Sequence, residues 1–367
     1  MKSSKGIAEN LVHHFRLVKG YLKNLFLSFC CRLPKIRGLV YEVTDRCNSH
    51  CQHCDIWRQT SNHPMLAPQE VSNFLSNRRF SGLRDCLITG GEPVLREDIK
   101  ELILAINAAR PKATITLSTN ALLPERVLEV LRFCIEKNIV VNLGVSLDGI
   151  GEAHDKIRGV EGNFAKADYL LKEAKQLKGS NPDKVGLITI GFTLSNLTAG
   201  NLRAVRDYAE HLRLGFLTQL YEEFPYYHNI VSAKEKNLEN YLHSGNDRLI
   251  EEVKQLPVNF HNEVLLEALS GRLRLRCDAL RGFFLLRCNG DVATCLCQCE
   301  KPLGNIKTET FEDIWQGAAA QQARKRVEGC RGCSNSWAAA WSYEVWYPHF
   351  WRITLGMYLR KLQRRLQ

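Results

Sequence analysis

From residue 39 onward, short runs of β-branched and aliphatic residues alternate with stretches whose apolar positions recur every three to four residues. The short runs predict strands at Leu39–Thr44, Asp85–Thr89, Ala113–Ser118, Val140–Ser146, Lys184–Thr193 and Gly215–Leu220. The periodic stretches predict helices at Arg96–Arg110, Pro124–Lys137, Ala165–Lys178 and Ala199–Leu212. Strands alternating with helices imply a parallel sheet with right-handed crossovers. Six such units predict a partial or full α/β barrel, with its chemistry at the C-terminal strand ends. Past residue 235 the alternation stops. Residues 236–270 read as a helical connection, residues 271–338 as a small cysteine-rich α+β domain, and no internal repeat is present.

The two ends have a different pattern. Within the N-terminal segment, residues 1–38, Leu11, Phe15, Val18, Leu22, Leu25 and Phe29 share one helical face, with Arg16, Lys19 and Lys23 elsewhere. Residues 339–367 read as a helix in which Trp341, Trp346, Tyr347, Phe350, Trp351, Leu355, Met357, Tyr358, Leu359 and Leu362 are interleaved with basic residues. Aromatic residues with basic neighbours suit a membrane interface, and a helix packed on the barrel rim would carry the same pattern.

Charge sharpens this contrast. The chain's formal net charge is +11, and residues 1–38 hold eight Lys/Arg against one Glu. Residues 347–367 hold five Lys/Arg and no acid, which leaves the body near neutrality at −1. A nucleic-acid enzyme would spread basic residues over its body, so no nucleic-acid partner is expected, and a membrane surface suits the basic ends better. No apolar run is long enough to cross a bilayer and no signal peptide is evident, so the expected location is the cytoplasm, including the inner face of the membrane.

Fourteen cysteines in such a chain point to metal rather than disulfides. Cys86 and Cys134 fall at core positions of a strand and a helix, and Cys30 and Cys31 close the N-terminal apolar stretch. The remaining cysteines cluster. Directly after the first strand come Cys47, Cys51 and Cys54, spaced C-x3-C-x2-C. Three thiolates in one loop can hold three corners of a cubane cluster and leave one iron open for catalysis; a zinc loop is the plainer alternative.

With His53 before the third cysteine, this loop resembles the signature of the radical S-adenosylmethionine (SAM) superfamily. Further motifs follow in that family's order. Thr89-Gly90-Gly91-Glu92-Pro93 is similar to the GGE motif, which implies contacts from Gly90, Gly91, Glu92 and Pro93 to the SAM amino group. Ser118 and Asn120 follow the third strand, where the family contacts the ribose. Ser146-Leu147-Asp148-Gly149, His154-Asp155 and Arg158-Gly159 resemble a subgroup in which Arg158 pairs with the SAM carboxylate, and Thr193 and Asn196 fall at the usual adenine position. A helix cap at Asp148 and a surface Arg158 are the structural alternative.

The C-terminal text resembles the truncated, twitch-like form of the SPASM domain: Cys277, Gly290-x4-Cys295, Gly304-Asn305-Ile306, Trp315, then Cys330-x2-Cys333. The resemblance implies one auxiliary 4Fe–4S cluster on Cys277, Cys295, Cys330 and Cys333, with Cys288, Cys297 and Cys299 as spare thiols. The implied fold is a partial (β/α)6 barrel of the radical SAM type. The implied activity is reductive cleavage of SAM at a 4Fe–4S cluster to a 5′-deoxyadenosyl radical. That radical takes hydrogen from a carbon of a small polar or lipid-linked substrate, with dehydrogenation or epimerisation as the outcome. Electrons would come from a reductase, flavodoxin or ferredoxin. Tyr221, Glu222 and Glu223, just past the sixth strand, are candidates for substrate contact. Peptide maturation and a non-catalytic iron–sulfur or zinc protein are the alternatives, the first disfavoured by the short N-terminal segment.

Overall fold

The structure, a computed structural model, describes residues 34–59, 63–236, 238–239, 241, 244–273, 276–330, 336–343 and 351–366, together with Val18, Lys19 and Leu22. Strands β1 (Gly38–Thr44), β2 (Asp85–Gly90), β3 (Thr114–Thr119), β4 (Val141–Ser146), β5 (Val185–Leu194) and β6 (Gly215–Leu220) lie side by side and all parallel, each within a residue or so of its predicted limits. β7 (Phe283–Leu286) pairs parallel to the other side of β1, and β8 (Asp291–Ala293) and β9 (Gly304–Asn305) add antiparallel. Among the described residues one nine-stranded sheet results, in the order β6-β5-β4-β3-β2-β1-β7-β8-β9. It is open, with β6 and β9 as edges, so the barrel is partial. The sheet runs unbroken through the boundary expected near residue 270.

The crossovers are α1 (Pro68–Leu75) between β1 and β2, α2 (Ile99–Ala109) between β2 and β3, and α3 (Pro124–Glu136) between β3 and β4. α4 (Glu152–Arg158) and α5 (Asn163–Ser180) precede β5, and α6 (Leu202–Leu212) precedes β6. α2 turns Ile99, Leu102, Ile103 and Ile106 inward at helical spacing, as amphipathic periodicity requires. The strands show why the sheet curls around a polar lumen. In β3, Ile115, Leu117 and Thr119 are buried while Thr114, Thr116 and Ser118 are only partly so. β4 repeats this with Val141, Leu143 and Val145 against Asn142, Gly144 and Ser146. Period-two alternation therefore puts aliphatic side chains under the helices and hydroxyls and amides on the inner face. β1 is buried at all seven positions, because it is covered on both faces and paired on both edges.

The C-terminal third closes the open side. α7 (Asp247–Lys254) and α8 (Phe260–Leu269) follow the sixth strand, and α8 packs against β6. α9 (Phe311–Gln316) and α10 (Ala318–Glu328) follow β9. Phe74, Phe80, Phe284, Phe311 and Trp315 gather α1, the turn Arg78–Gly82, β7 and α9 into one aromatic cluster, with neighbouring centroids 4.8–5.6 Å apart. The Arg324 guanidinium stacks 5.0 Å from the Trp315 ring centroid, and its Nε donates to the Leu280 carbonyl at 2.8 Å.

Where one helix is expected over 339–367, the described residues form two: α11 (Ser336–Tyr343), which begins just before that segment, and α12 (Trp351–Leu366). They differ in burial. In α11, Ala339, Trp341 and Ser342 are buried on the barrel, with Trp341 Nε1 donating to Asp85 at 3.2 Å. α12 packs on α8. The N-terminal amphipathic face lies outside the described residues except for Val18, Lys19 and Leu22, all exposed.

Because Phe284 is fully buried at the centre of the aromatic cluster, Phe284→Ala is expected to cost about 3–5 kcal/mol. A denaturant midpoint unchanged from the parent chain would contradict the central place given to that cluster.

Candidate functional site

The loop after β1 is held between two neighbours. On one side the β2 turn crosses it closely: Gly91 N–H donates to the Thr44 carbonyl and Glu92 N–H to the Arg46 carbonyl, both at 2.8 Å. A Cβ at Gly90 or Gly91 would overlap the carbonyl oxygens of Thr44 and Arg46, and Gly90 has φ +145°. The paired glycines are thus required by backbone packing on the cysteine loop. On the other side, His50 and Gln52 N–H groups donate to the carbonyls of Arg158 and Ile157 at the end of α4.

So fixed, Cys47, Cys51 and Cys54 line a cavity of about 180 Å³. Its wall also holds His53, Gly90, Gly91, Ser118, Asn120, Ser146, Arg158, Thr193, Tyr221 and Glu222, from the C-terminal ends of the strands and the loops that follow them. Asn120 Nδ2 lies 3.8 Å from Cys47 Sγ and Ser49 Oγ 3.1 Å from Cys51 Sγ. Arg158 Nη1 lies 3.6 Å from Cys51 Sγ, while Nη2 pairs with Asp148 at 2.6 Å. Four of the expected contacts have other roles in the structure. Glu92 is fully buried and accepts from Thr119 Oγ1 at 2.8 Å and Asn120 N–H at 2.7 Å, so it ties the β2 and β3 loops together rather than facing the cavity. Pro93 is buried in the following turn. Asp148 sits behind Arg158, accepting from Thr193 N–H at 2.8 Å. Asn196 accepts from Glu239 N–H at 3.0 Å, away from the wall. Of the three candidates past β6, Tyr221 and Glu222 reach the cavity and Glu223 is exposed.

The electrostatics follow from burial. Burial alone would raise the Asp148 carboxyl, but Arg158 holds it below the usual carboxylate range. Burial pushes the imidazoles of His53 and His154 down to about 4, so both are neutral. It pushes Glu92 up to about 7, against the hydrogen bonds it accepts, and Cys47 up to about 11. A buried thiol raised in this way becomes a thiolate only beside a cation or metal centre. Among the described residues, no group of three or more His, Cys, Asp or Glu side chains could hold a metal ion as they stand.

A second cavity, of about 1180 Å³, fills the lumen and shares Thr89, Ser118, Ser146, Thr193, Gln219 and Tyr227 with the first. Thr116, Asn142, Thr189, Tyr226, Asn259 and His261 continue its wall. Burial lowers the His261 imidazole to about 4, and its Nδ1 and the Tyr226 hydroxyl are buried without a hydrogen-bond partner. Sequence reading missed Gln219, Tyr227 and His261. Polar residues recurring at every second strand position signal such a lumen, whereas nothing local marks His261.

A third cavity, of about 40 Å³, is lined by Cys277, Cys295, Cys297 and Cys330 among apolar side chains that include Phe283, Phe284 and Trp341. Three of the four expected auxiliary ligands thus come together, and Cys297, read as a spare, joins them. Cys333 lies outside the described residues. Cys288 instead donates to Glu42 at 3.5 Å and Cys299 to the Leu296 carbonyl at 3.5 Å. Val40, Leu87 and Leu296 belong to both this cavity and the lumen.

Two outcomes are expected. Gly91→Ala, which drives a methyl group into the Arg46 carbonyl, is expected to abolish cluster assembly at the three-cysteine loop, read as iron bound after anaerobic reconstitution. His154 accepts the Asp148 N–H through Nδ1 at 3.1 Å and is held neutral. Its contribution to stability is present above pH about 6.5 and is lost as the pH falls towards about 4, where only the unfolded chain is protonated. The denaturation midpoint should therefore fall over that window, and less steeply in His154→Gln; equal slopes would exclude the linkage.

Comparison with known proteins agrees with this geometry. Residues 41–198 match the family described as the radical SAM superfamily, and residues 277–334 match the iron–sulfur cluster-binding domain SPASM. A protein of Methanococcus vannielii named "Probable GTP 3′,8-cyclase" is 30% identical over 193 residues, 52% of this chain and 60% of that protein. The Fe-coproporphyrin III synthase of Methanosarcina barkeri is 31% identical over 181 residues, 48% of this chain and 41% of that one. The chain thus spans about 60% or less of these relatives' length. Among solved structures, SuiB of Streptococcus suis bound to S-adenosylmethionine superposes with a TM-score of 0.58 at 17% identity, over 82% of this chain and 70% of that one. The structure of anSMEcpe with bound AdoMet gives 0.54 at 17% identity, over 79% and 82%. Residues 41–198 thus form a radical SAM domain, which implies a 4Fe–4S cluster and S-adenosylmethionine as cofactors, and residues 277–334 form a C-terminal iron–sulfur cluster-binding domain.

Proposed function

We propose that the chain cleaves SAM reductively at a cluster on Cys47, Cys51 and Cys54 and takes hydrogen from a carbon of a small polar or lipid-linked substrate in the lumen. The observation that carries this reading is the six-residue wall shared by the thiol-lined cavity and the lumen. When bound, the first cluster supplies the electron that opens SAM to a hydrogen-abstracting 5′-deoxyadenosyl radical, and the auxiliary cluster supplies a centre able to accept an electron. This chain's own residues then have definite tasks. Arg158, held by Asp148, offers a fixed cation beside Cys51 for a carboxylate, and Asn120 and Ser118 offer polar contacts at the same wall. The hydroxyls and amides of Thr89, Thr116, Ser118, Asn142, Thr189 and Gln219, set among aliphatic side chains, offer hydrogen bonds to the polar groups of a substrate.

Dehydrogenation is favoured over epimerisation, because the wall at Val40, Leu87 and Leu296 separates the lumen from the auxiliary thiols by one layer of side chains. A dehydrogenation releases a proton, and Glu222 and neutral His261, on the walls of the two cavities, are placed to take it. The reductant would be a reductase, flavodoxin or ferredoxin.

Anaerobic reconstitution should give about eight irons per chain, and dithionite with SAM should give 5′-deoxyadenosine. Cys51→Ala should abolish the product, and Cys277→Ala should lower the iron to about four while leaving SAM cleavage measurable. Zinc in place of iron, with no SAM cleavage, would overturn the reading.

A further inference from the structure

Helix α12 presents two faces of opposite character. Successive residues are rotated by about 100°, which places Ile353, Met357, Arg360 and Arg364 on one side. That side is docked: Ile353 is buried, Arg360 pairs with Glu263 of α8 at 2.7 Å, and Arg364 donates to the carbonyls of Lys254 and Leu256 at 2.8 Å. Leu355, Tyr358, Leu359 and Leu362 fall within an arc of about 100° on the opposite side. They are 47, 46, 52 and 59% exposed. Four of the twelve large exposed apolar side chains in the described residues therefore form one stripe, too concentrated for scattered surface apolarity. Arg352 flanks the arc at one edge, and no Asp or Glu occurs from residue 345 to the last residue.

We propose that this stripe is a docking surface for an anionic phospholipid bilayer, with α12 lying in the plane of the headgroups. Charge selects the occupant. The chain's own N-terminal segment, residues 1–33, carries six Lys/Arg and one Glu, and a second copy would bring another basic α12, so both would be repelled. An anionic lipid surface attracts α12 and that segment alike, and takes leucine and tyrosine side chains into the acyl boundary. The inner face of α12 supplies Arg364 to the wall of the lumen, so docking would set the substrate cavity one helix width from the lipid. The docking itself does not depend on the proposed chemistry.

The test is co-sedimentation of the purified full chain with vesicles, without SAM or reductant, so that its failure is distinct from failure of SAM cleavage. The expected result is binding to phosphatidylcholine vesicles containing one-third phosphatidylglycerol, little binding to pure phosphatidylcholine, and weakening by added salt. The partition coefficient should fall at least about tenfold in Leu359→Glu/Leu362→Glu, with iron content and denaturation midpoint as in the parent. Absence of binding by the parent chain, or equal binding by the double variant, would overturn the proposal. So would a lowered denaturation midpoint in the double variant, which would mean that the chain's own N-terminal segment covers the stripe. A parent dimer that the double variant converts to monomer would assign the stripe to a second copy and overturn it equally.

Discussion

The site depends on the contact of two backbone loops. The turn after β2 lies so close to the cysteine loop that only glycine fits at positions 90 and 91, and two main-chain hydrogen bonds lock the loops together. Three thiols on one short loop have no defined geometry of their own. They acquire it from the β2 turn on one side and the end of α4 on the other, both of which are set by the parallel register of the sheet. Preorganisation of this kind lets a loop support a metal centre with the precision of a rigid element.

The polar residues around that contact serve mainly to hold one another. Glu92 bridges the β2 and β3 loops, and Asp148 orients Arg158 while accepting a backbone hydrogen bond from the end of β5. Charged groups this deeply buried persist only when paired or fully hydrogen-bonded. Residues that a motif implies as ligand contacts thus act in this structure as supports, one layer behind the wall, for residues that do line the cavity.

Much of this was legible in the sequence because it rests on local chemistry. The six parallel strands appear as short β-branched and aliphatic runs, and Cys47, Cys51 and Cys54 as spacing after the first of them. What was not legible depends on contacts distant in sequence. Nothing near Phe283 says that its strand will pair with β1, and nothing near His261 says that its ring will reach the lumen. Cys297 could not be separated from its neighbours Cys295 and Cys299 by spacing alone, since only the turn after β8 decides which thiols face the cavity of Cys277. The basic aromatic C-terminal segment read as one unit, whereas the structure buries its first part and exposes a stripe on its second.

The pairing of β1 with β7 has a consequence for how the chain reaches its native state. Gly38, at the start of the first strand, finds its partner in Phe283, after the entire six-strand core has been made. During synthesis the outer edge of β1 stays open until residues 283–286 emerge. An uncapped edge of largely apolar residues invites pairing with other chains. Long sequence separation also makes this closure slow relative to the local βα units. The molecule's yield in a cell should therefore be limited by late edge closure, and a chaperone that shields β1 would act on the step that most exposes the chain to aggregation.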